Sequence, residues 1–284
     1  MQKEIEKIIR IGLDEDLGVN WAHGDITSNL TIKNNAESSF QIATRENITL
    51  CGAKIAQQVF LELQKKFPQN TNITINLCAK DGDHLKKNSI IIKGFGNTKL
   101  ILAGERLALN LLQHLSGIAT KTAKYVVALN NSNVKILDTR KTLPGLRALQ
   151  KYAVKCGKGK NHRFALFDGI LIKDNHVAAC GGIKNCLDLA RKNNGKLDVE
   201  IECDNLEQVA QAAQNNADII MLDNMTLEQI AKSIEIINKK AKIEVSGNIN
   251  LEKIKDLSKL DIDFISIGAL THSVKAADIG LDFL

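Results

Sequence analysis

The stretch Leu197-Asp-Val-Glu-Ile-Glu-Cys203, followed by Asp204-Asn-Leu-Glu-Gln208 and then by Asp218-Ile-Ile-Met-Leu222-Asp-Asn224, decides how the chain folds. Two short runs of apolar and β-branched residues flank a segment that opens on Asn205 with Gln208 three positions on, the spacing of a capped helix start. Strand, helix, strand in this rhythm is the signature of a parallel βα unit. The same rhythm extends both ways, with strands expected at Val134 to Arg140, Gly169 to Lys173, Lys242 to Val245 and Asp263 to Ile267, and a further capping box at Thr226 and Gln229. Six units follow one another.

The strands share a way of ending: Thr139-Arg140-Lys141, Lys173-Asp174-Asn175, Glu200-Ile-Glu202, Asp223-Asn224, Ser246-Gly247-Asn248 and Gly268-Ala269. In a parallel α/β barrel such ends gather at one mouth, where active sites are built. A doubly wound open sheet would collect them along one edge instead. Polar ends on every strand favour the barrel.

Before residue 115 the pattern is mixed. Ile5, Ile8, Ile9 and Leu13 fall on one helical face, Phe40 to Cys51 and Thr71 to Ala79 alternate like strands, and Ala53 to Phe67 reads as a helix. Ile90 to Lys93 is another strand, with Gly94-Phe-Gly96 as a turn after it. Thr98 to His114 and Ser116 to Asn130 read as two helices separated at Ser116-Gly117. The expected class is therefore α/β, with an α/β lobe over 1-115 and a barrel over 116-271.

Composition narrows the function classes. The 284 residues are 44% hydrophobic and 25% charged, which suits a folded core, and the longest apolar runs fall far short of the roughly 20 residues needed to span a bilayer. The start, Met1 to Arg10, has neither the apolar stretch of a signal peptide nor the acid-poor character of a transit peptide, which points to the cytoplasm. Six cysteines without a CxxC pair read as reduced, mostly buried thiols rather than disulfides or a zinc site.

The net charge is +6, and residues 138 to 163 hold eight basic side chains against one acid, a net of +7 that leaves −1 for the remainder. Arg147, Lys151, Lys155 and Lys158 have the spacing of a solvated helix face. Arg140, Lys141, His162, Arg163 and Lys173 sit instead at strand ends or in the glycine-containing loop, where converging donors fit a ligand with more than one carboxylate. At 4% aromatic content and with no recognisable module, a nucleic-acid partner is not expected. Glu202 and Asp223 end successive strands, so two carboxylates overhang the same mouth, as ion-pair partners or as stabilisers of a cationic transition state. Ser246-Gly247-Asn248 and Gly268-Ala269 follow the last two strands, where barrels often bind phosphate through backbone N–H groups.

The strings Glu105 to Thr120, Asp138-Thr-Arg-Lys-Thr-Leu-Pro-Gly-Leu-Arg147, Asn161-His-Arg163, Leu171-Ile-Lys-Asp-Asn-His176, Met221-Leu-Asp-Asn224 and Glu244-Val-Ser-Gly247, with the early Glu15-Asp-Leu-Gly18 and Gly24-Asp-Ile-Thr27, resemble the quinolinate phosphoribosyltransferase family over nearly the whole chain. The resemblance implies a type II phosphoribosyltransferase: an N-terminal α/β sandwich lobe, an open α/β barrel, and a C-terminal tail, 272-284, returning to the first lobe. It implies conversion of quinolinate and phosphoribosyl diphosphate, with Mg2+, into nicotinate mononucleotide, diphosphate and carbon dioxide, a step of de novo NAD synthesis. By the same resemblance Arg140, His162, Arg163 and Lys173 hold the quinolinate carboxylates, and Arg106 reaches in from the other subunit of a homodimer; assembly beyond a dimer stays open. Lys141, Glu202 and Asp223 match catalytic positions. Thr139, Ser246, Gly247, Asn248 and the Ile267-Gly268-Ala269 region complete the substrate-binding set around ribose and phosphates. Mg2+ is expected to be held through the diphosphate, with Glu202 and Asp223 nearby. Three departures stand out: Asn248 and Lys158 occupy positions where the family carries glycine, and Ala165-Leu-Phe-Asp168 replaces Gly-Leu-Tyr-Asp. A relative of the same fold acting on another anionic acceptor is the nearest rival reading.

Overall fold

The computed structural model describes residues 1–67, 73–130, 133–193 and 195–284, so the expected strand from Thr71 has its first two residues outside the described set. In chain order the first half carries α1 (Gln2–Leu17), α2 (Ile26–Thr31), β1 (Glu37–Thr44), β2 (Ile48–Thr49), α3 (Ala53–Lys66), β3 (Thr74–Leu77), β4 (His84–Leu85), β5 (Ile90–Asn97) and α4 (Thr98–Ala128). The second half carries β6 (Lys135–Leu137), α5 (Arg147–Cys156), β7 (Ile170–Ile172), α6 (Asp174–Cys180), α7 (Ile183–Asn193), β8 (Val199–Cys203), α8 (Leu206–Gln214), β9 (Ile219–Asp223), α9 (Leu227–Ile237), β10 (Lys242–Ser246), α10 (Leu251–Leu257), β11 (Phe264–Ser266), α11 (Ala269–His272) and β12 (Ile279–Phe283). Among the described residues no helix is long and apolar enough to cross a membrane. Two compact units result, Met1–Ala123 with Thr142–Lys158 and Thr271–Leu284, and Lys124–Lys141 with Gly159–Leu270.

The first unit is built on an antiparallel sheet in the order β12-β1-β5-β3. The C-terminal strand closes one edge, with Phe40 opposite Phe283 and Thr44 opposite Ile279. Apolar side chains of β1, β5, α3 and α4 make the core: Phe40, Phe60, Leu63, Ile92, Ile101 and Leu112 are fully buried, and the rings of Phe40 and Phe60 lie 5.6 Å apart. Two expectations change here. Gly94-Phe-Gly96 does not turn but continues β5, because a Cβ at Gly94 would come within 2.3 Å of the Phe40 ring. Ser116-Gly117 does not break a helix either: α4 runs unbroken for 31 residues. Gly117 serves close packing, since a Cβ there would lie 2.2 Å from the Lys275 carbonyl oxygen of the returning tail.

The second unit is an all-parallel six-stranded sheet in the order β6-β11-β10-β9-β8-β7. Side chains from β7, β8, β9, β10 and β11 and from the segment that follows β6 line one common cavity, as the curvature of a barrel open between β6 and β7 requires. The caps behave as their spacing predicts. Thr226 and Gln229 close a reciprocal capping box, the Gln229 amide donating to Thr226 Oγ1 at 3.2 Å and the Thr226 amide to Gln229 Oε1 at 2.9 Å. Asn205 accepts from the Gln208 amide, but the Gln208 side chain takes the amide of Asp204 instead.

Lys151 corrects one expectation: it is buried on α5, whereas Lys155 and Lys158 are exposed as a solvated face requires. The cysteines are all free thiols, with Cys51, Cys156, Cys186 and Cys203 buried and Cys78 exposed.

Candidate active site

Side chains two apart on a strand share a face, and the inner face of each barrel strand supplies the site. Leu171 and Lys173, Met221 and Asp223, and Glu244 and Ser246 are such pairs, and Glu202 and Ser266 join them. With Thr139, Arg140, Lys141, His162 and Arg163 they enclose a cavity of about 450 Å³ in the second unit.

The Asn161-His162-Arg163 segment reaches this cavity because the backbone of Lys160 pairs with β6, its amide donating to the Ile136 carbonyl and its carbonyl accepting from the Asp138 amide. The fully buried Asp138 carboxylate then accepts from the Asn161 side chain and from the His162 amide. A buried carboxylate is costly unless satisfied, and here its partners fix the loop. Arg163 donates from Nη1 to the Gly169 carbonyl at 3.0 Å. Burial, and then the neighbouring Arg140 guanidinium, push Arg163 below its ordinary basicity. Arg140 Nε is buried and makes no hydrogen bond among the described residues.

Lys173 is paired with Glu202, so one of the two overhanging carboxylates is an ion-pair partner in the structure. Asp223 accepts from the Asn224 side chain at 2.6 Å. His162 turns both ring nitrogens toward protein: Nδ1 accepts the Arg163 amide at 2.7 Å, and Nε2 lies 3.0 Å from Glu200 Oε2 and 3.7 Å from Glu244 Oε1. Burial, and then the Glu200 carboxylate, push the Glu244 carboxyl up to about 8.

Nine expected residues thus meet in one cavity: Thr139, Arg140, Lys141, His162, Arg163, Lys173, Glu202, Asp223 and Ser246. Gly247, Asn248, Ile267, Gly268 and Ala269 follow β10 and β11 but do not line it. Gly247 has φ +91°, and a Cβ there would lie 2.2 Å from Asn224 Oδ1, so only glycine fits. Asn248 and Lys158 keep positive φ, 50° and 68°, so the departures from glycine preserve the left-handed backbone, which asparagine tolerates well. Arg106 is exposed on α4 in the first unit and does not line the cavity.

Glu244, Glu200 and Ser266 were not singled out by sequence reasoning. The signal was present: Glu200 stands two before Glu202 and Glu244 two before Ser246, carboxylates in the middle of buried strands. For a divalent ion, Glu202 and Asp223 offer the hard oxygen donors that magnesium prefers. Among the described residues, groups of three ligand-type side chains converge at Cys51, Asp81 and Cys156 in the first unit and at His162, Glu200 and Glu244 beside this cavity, and neither includes Glu202 or Asp223.

A parallel-strand barrel with cations and carboxylates facing each other at its strand ends defines an enzyme for small polyanions. The chain matches the N-terminal domain of quinolinate phosphoribosyl transferase over residues 25–116 and its C-terminal domain over 118–282. It is 40% identical over 280 residues to the probable nicotinate-nucleotide pyrophosphorylase [carboxylating] of Bacillus subtilis, covering 98% of this chain and 93% of that protein. With the corresponding protein of Methanocaldococcus jannaschii it shares 41% identity over 288 residues, 98% of this chain and 96% of the other. The crystal structure of the Ehrlichia chaffeensis nicotinate-nucleotide pyrophosphorylase superposes with a TM-score of 0.91 at 41% identity, covering 98% of each chain. The chain belongs to the quinolinate phosphoribosyltransferase family.

Proposed function

We propose that the chain transfers the phosphoribosyl group of 5-phosphoribosyl 1-diphosphate to quinolinate with decarboxylation, giving nicotinate mononucleotide, diphosphate and carbon dioxide in NAD biosynthesis. The observation that carries this reading is the single cavity in which Arg140, Lys141, Arg163 and Lys173 face Glu202 and Asp223. Arg140 and Arg163 grip the quinolinate carboxylates, Lys173 adds a third cation, and His162 orders the Arg163 backbone through its Nδ1. Held this way, the pyridine nitrogen faces C1 of the ribosyl diphosphate, and the entropy of alignment is lost on binding rather than at the transition state. Departure of diphosphate builds positive charge on the sugar, which Glu202 and Asp223 stabilise in a partly desolvated setting. Lys141 meets the charge of the leaving diphosphate. Magnesium, when bound with the diphosphate, supplies further neutralisation of that group.

Arg106 on the first unit completes the site from the second subunit of a homodimer, and the protein works in the cytoplasm. Loss of quinolinate absorbance, dependent on both phosphoribosyl diphosphate and magnesium, tests the activity. Turnover of a different anionic acceptor in place of quinolinate would overturn the substrate assignment.

A further inference from the structure

Nicotinate mononucleotide carries a hydrogen on the ring carbon from which quinolinate loses its carboxylate. When that C–C bond breaks, carbon dioxide leaves, the electron pair stays on the carbon beside the alkylated nitrogen, and one proton has to reach it. The groups placed in the reaction so far have other tasks: the guanidinium groups are too basic to give up a proton, Lys173 is engaged by Glu202, Lys141 meets the diphosphate, and Glu202 and Asp223 face the sugar. An acid holding its proton near neutral pH, facing the cavity, is what the step lacks.

Glu244 has that setting. It lies on the inner face of β10, one alternation deeper than Ser246, is 1% exposed and lines the cavity. Across the barrel the Glu200 carboxylate and His162 Nε2 crowd it, with Nε2 3.0 Å from Glu200 Oε2 and 3.7 Å from Glu244 Oε1, and the Oε1 atoms of both glutamates are buried without a hydrogen bond among the described residues. Nδ1 accepts from Arg163, so a ring proton belongs on Nε2, which lies near both carboxylates but makes no hydrogen bond to either among the described residues. Two buried carboxylates thus face one imidazole, and Glu244, the more deeply buried and the farther from Nε2, is the one that keeps a proton. His162, Ser266 and Lys173 also face Glu244 and pull it toward the ionised form, and burial and Glu200 outweigh them. A second cavity, of about 520 Å³, shares His162, Arg163 and Glu244 with the first and opens past the strand starts at Lys196, Asp198 and Phe264. Glu244 thus stands between two hollows, one for the pyridine and one through which water restores its proton.

We infer that Glu244 is the acid that protonates the ring carbon as its carboxylate leaves, with Glu200 and His162 as positioning residues that hold its proton toward the cavity. The proton passes from Glu244 to the carbon, the C–C electron pair becomes the C–H bond, and the Glu244 carboxylate is reprotonated from water. The inference rests on quinolinate being the acceptor bound in this cavity, and the test separates the two.

In single-turnover quenched flow, the full-length wild type given quinolinate, phosphoribosyl diphosphate and magnesium releases diphosphate and forms nicotinate mononucleotide in step. Glu244→Gln should release diphosphate at close to the wild-type rate and form the mononucleotide about 10² to 10⁴ times more slowly, with the alkylated dicarboxylate accumulating. In an equal mixture of H2O and D2O the hydrogen-to-deuterium ratio at that carbon should shift in the variant, and Glu244→Asp, which keeps an acid in place, should recover part of the second step. Products that remain in step in Glu244→Gln with an unchanged isotope ratio would overturn the inference, as would equal slowing of both products or equal behaviour of the Gln and Asp variants. Absence of diphosphate release from the wild type with quinolinate would instead overturn the acceptor on which it rests.

Discussion

Replacing Glu244 with Gln removes one titrating group from the barrel interior and should change how stability depends on pH. An ordinary glutamate loses its proton near 4.5, whereas Glu244 in the folded chain keeps it up to about 8, chiefly through burial. Between those two values the unfolded chain has given up the Glu244 proton and the folded chain has not, so the folded state binds more protons and stability falls as pH rises. Below the lower value both states are protonated and Glu244 contributes no slope; above the upper value the loss is complete. At about 1.4 kcal/mol per unit of pKa, the span sets a ceiling of about 5 kcal/mol, with about 3 kcal/mol of it already lost by pH 7. Glutamine keeps the shape and cannot ionise.

The check is urea unfolding followed by far-ultraviolet circular dichroism in half-unit steps from pH 5 to 9, for the wild type and Glu244→Gln. The variant's stability relative to wild type should climb across this window by several kcal/mol and level off above pH 8. Glu200→Gln provides a second arm: it removes the neighbouring carboxylate but not the burial, so it should flatten only the smaller part of the slope. A difference between Glu244→Gln and wild type that stays constant to within about 1 kcal/mol over the window would refute the reasoning, because a shift of this size cannot leave the unfolding equilibrium indifferent to pH.

Arg140→Ala removes a guanidinium whose buried Nε makes no hydrogen bond among the described residues, and quinolinate affinity by calorimetry should fall about 30-fold or more; unaltered affinity would sink the assignment. Arg106→Ala and Lys173→Ala chains, each inactive alone, should recover activity when mixed into heterodimers if Arg106 serves the partner's cavity, and no recovery in proven heterodimers counts against it. Gly117→Ala places a Cβ 2.2 Å from the Lys275 carbonyl, so the tail must shift at a cost of about 1–3 kcal/mol, read as a melting temperature lowered by several degrees. An unchanged melting temperature would mean that the tail accommodates a methyl group there.

The barrel could be read from the sequence because its information is local. Each strand is a short apolar run with a polar end, and helix starts such as Thr226 with Gln229 are written within four residues. The misread features depend on distant partners. Gly94 looks like a turn until Phe40 is found beneath it, and Gly117 looks like a helix breaker until the tail, more than 150 residues later, lies against it. Glu200 and Glu244 were invisible as a pair for the same reason. They stand on β8 and β10, with β9 between them and registered to both, Glu200 beside Ile219 and Glu244 beside Met221. Only that pairing brings two mid-strand carboxylates to one imidazole.

The pair also bears on how the cavity selects its ligand. Of the eight basic residues between 138 and 163, only Arg140, Lys141 and Arg163 line the cavity, and Lys173 brings the cations there to four. Opposed to them are Glu202, Asp223 and Glu244. Lys141 serves the diphosphate and Glu202 and Asp223 serve the sugar, so the dicarboxylate is left to Arg140, Arg163 and Lys173, and an ionised Glu244 would set a further buried carboxylate against it. Like charges brought together where one of them is fully buried repel more strongly than in water, so a protonated Glu244 makes room for the dianion. The proton on Glu244 thus does two things that require the same burial: it leaves the basic lining free to hold the dianion, and it stays at hand for the carbon that the departing carboxylate exposes.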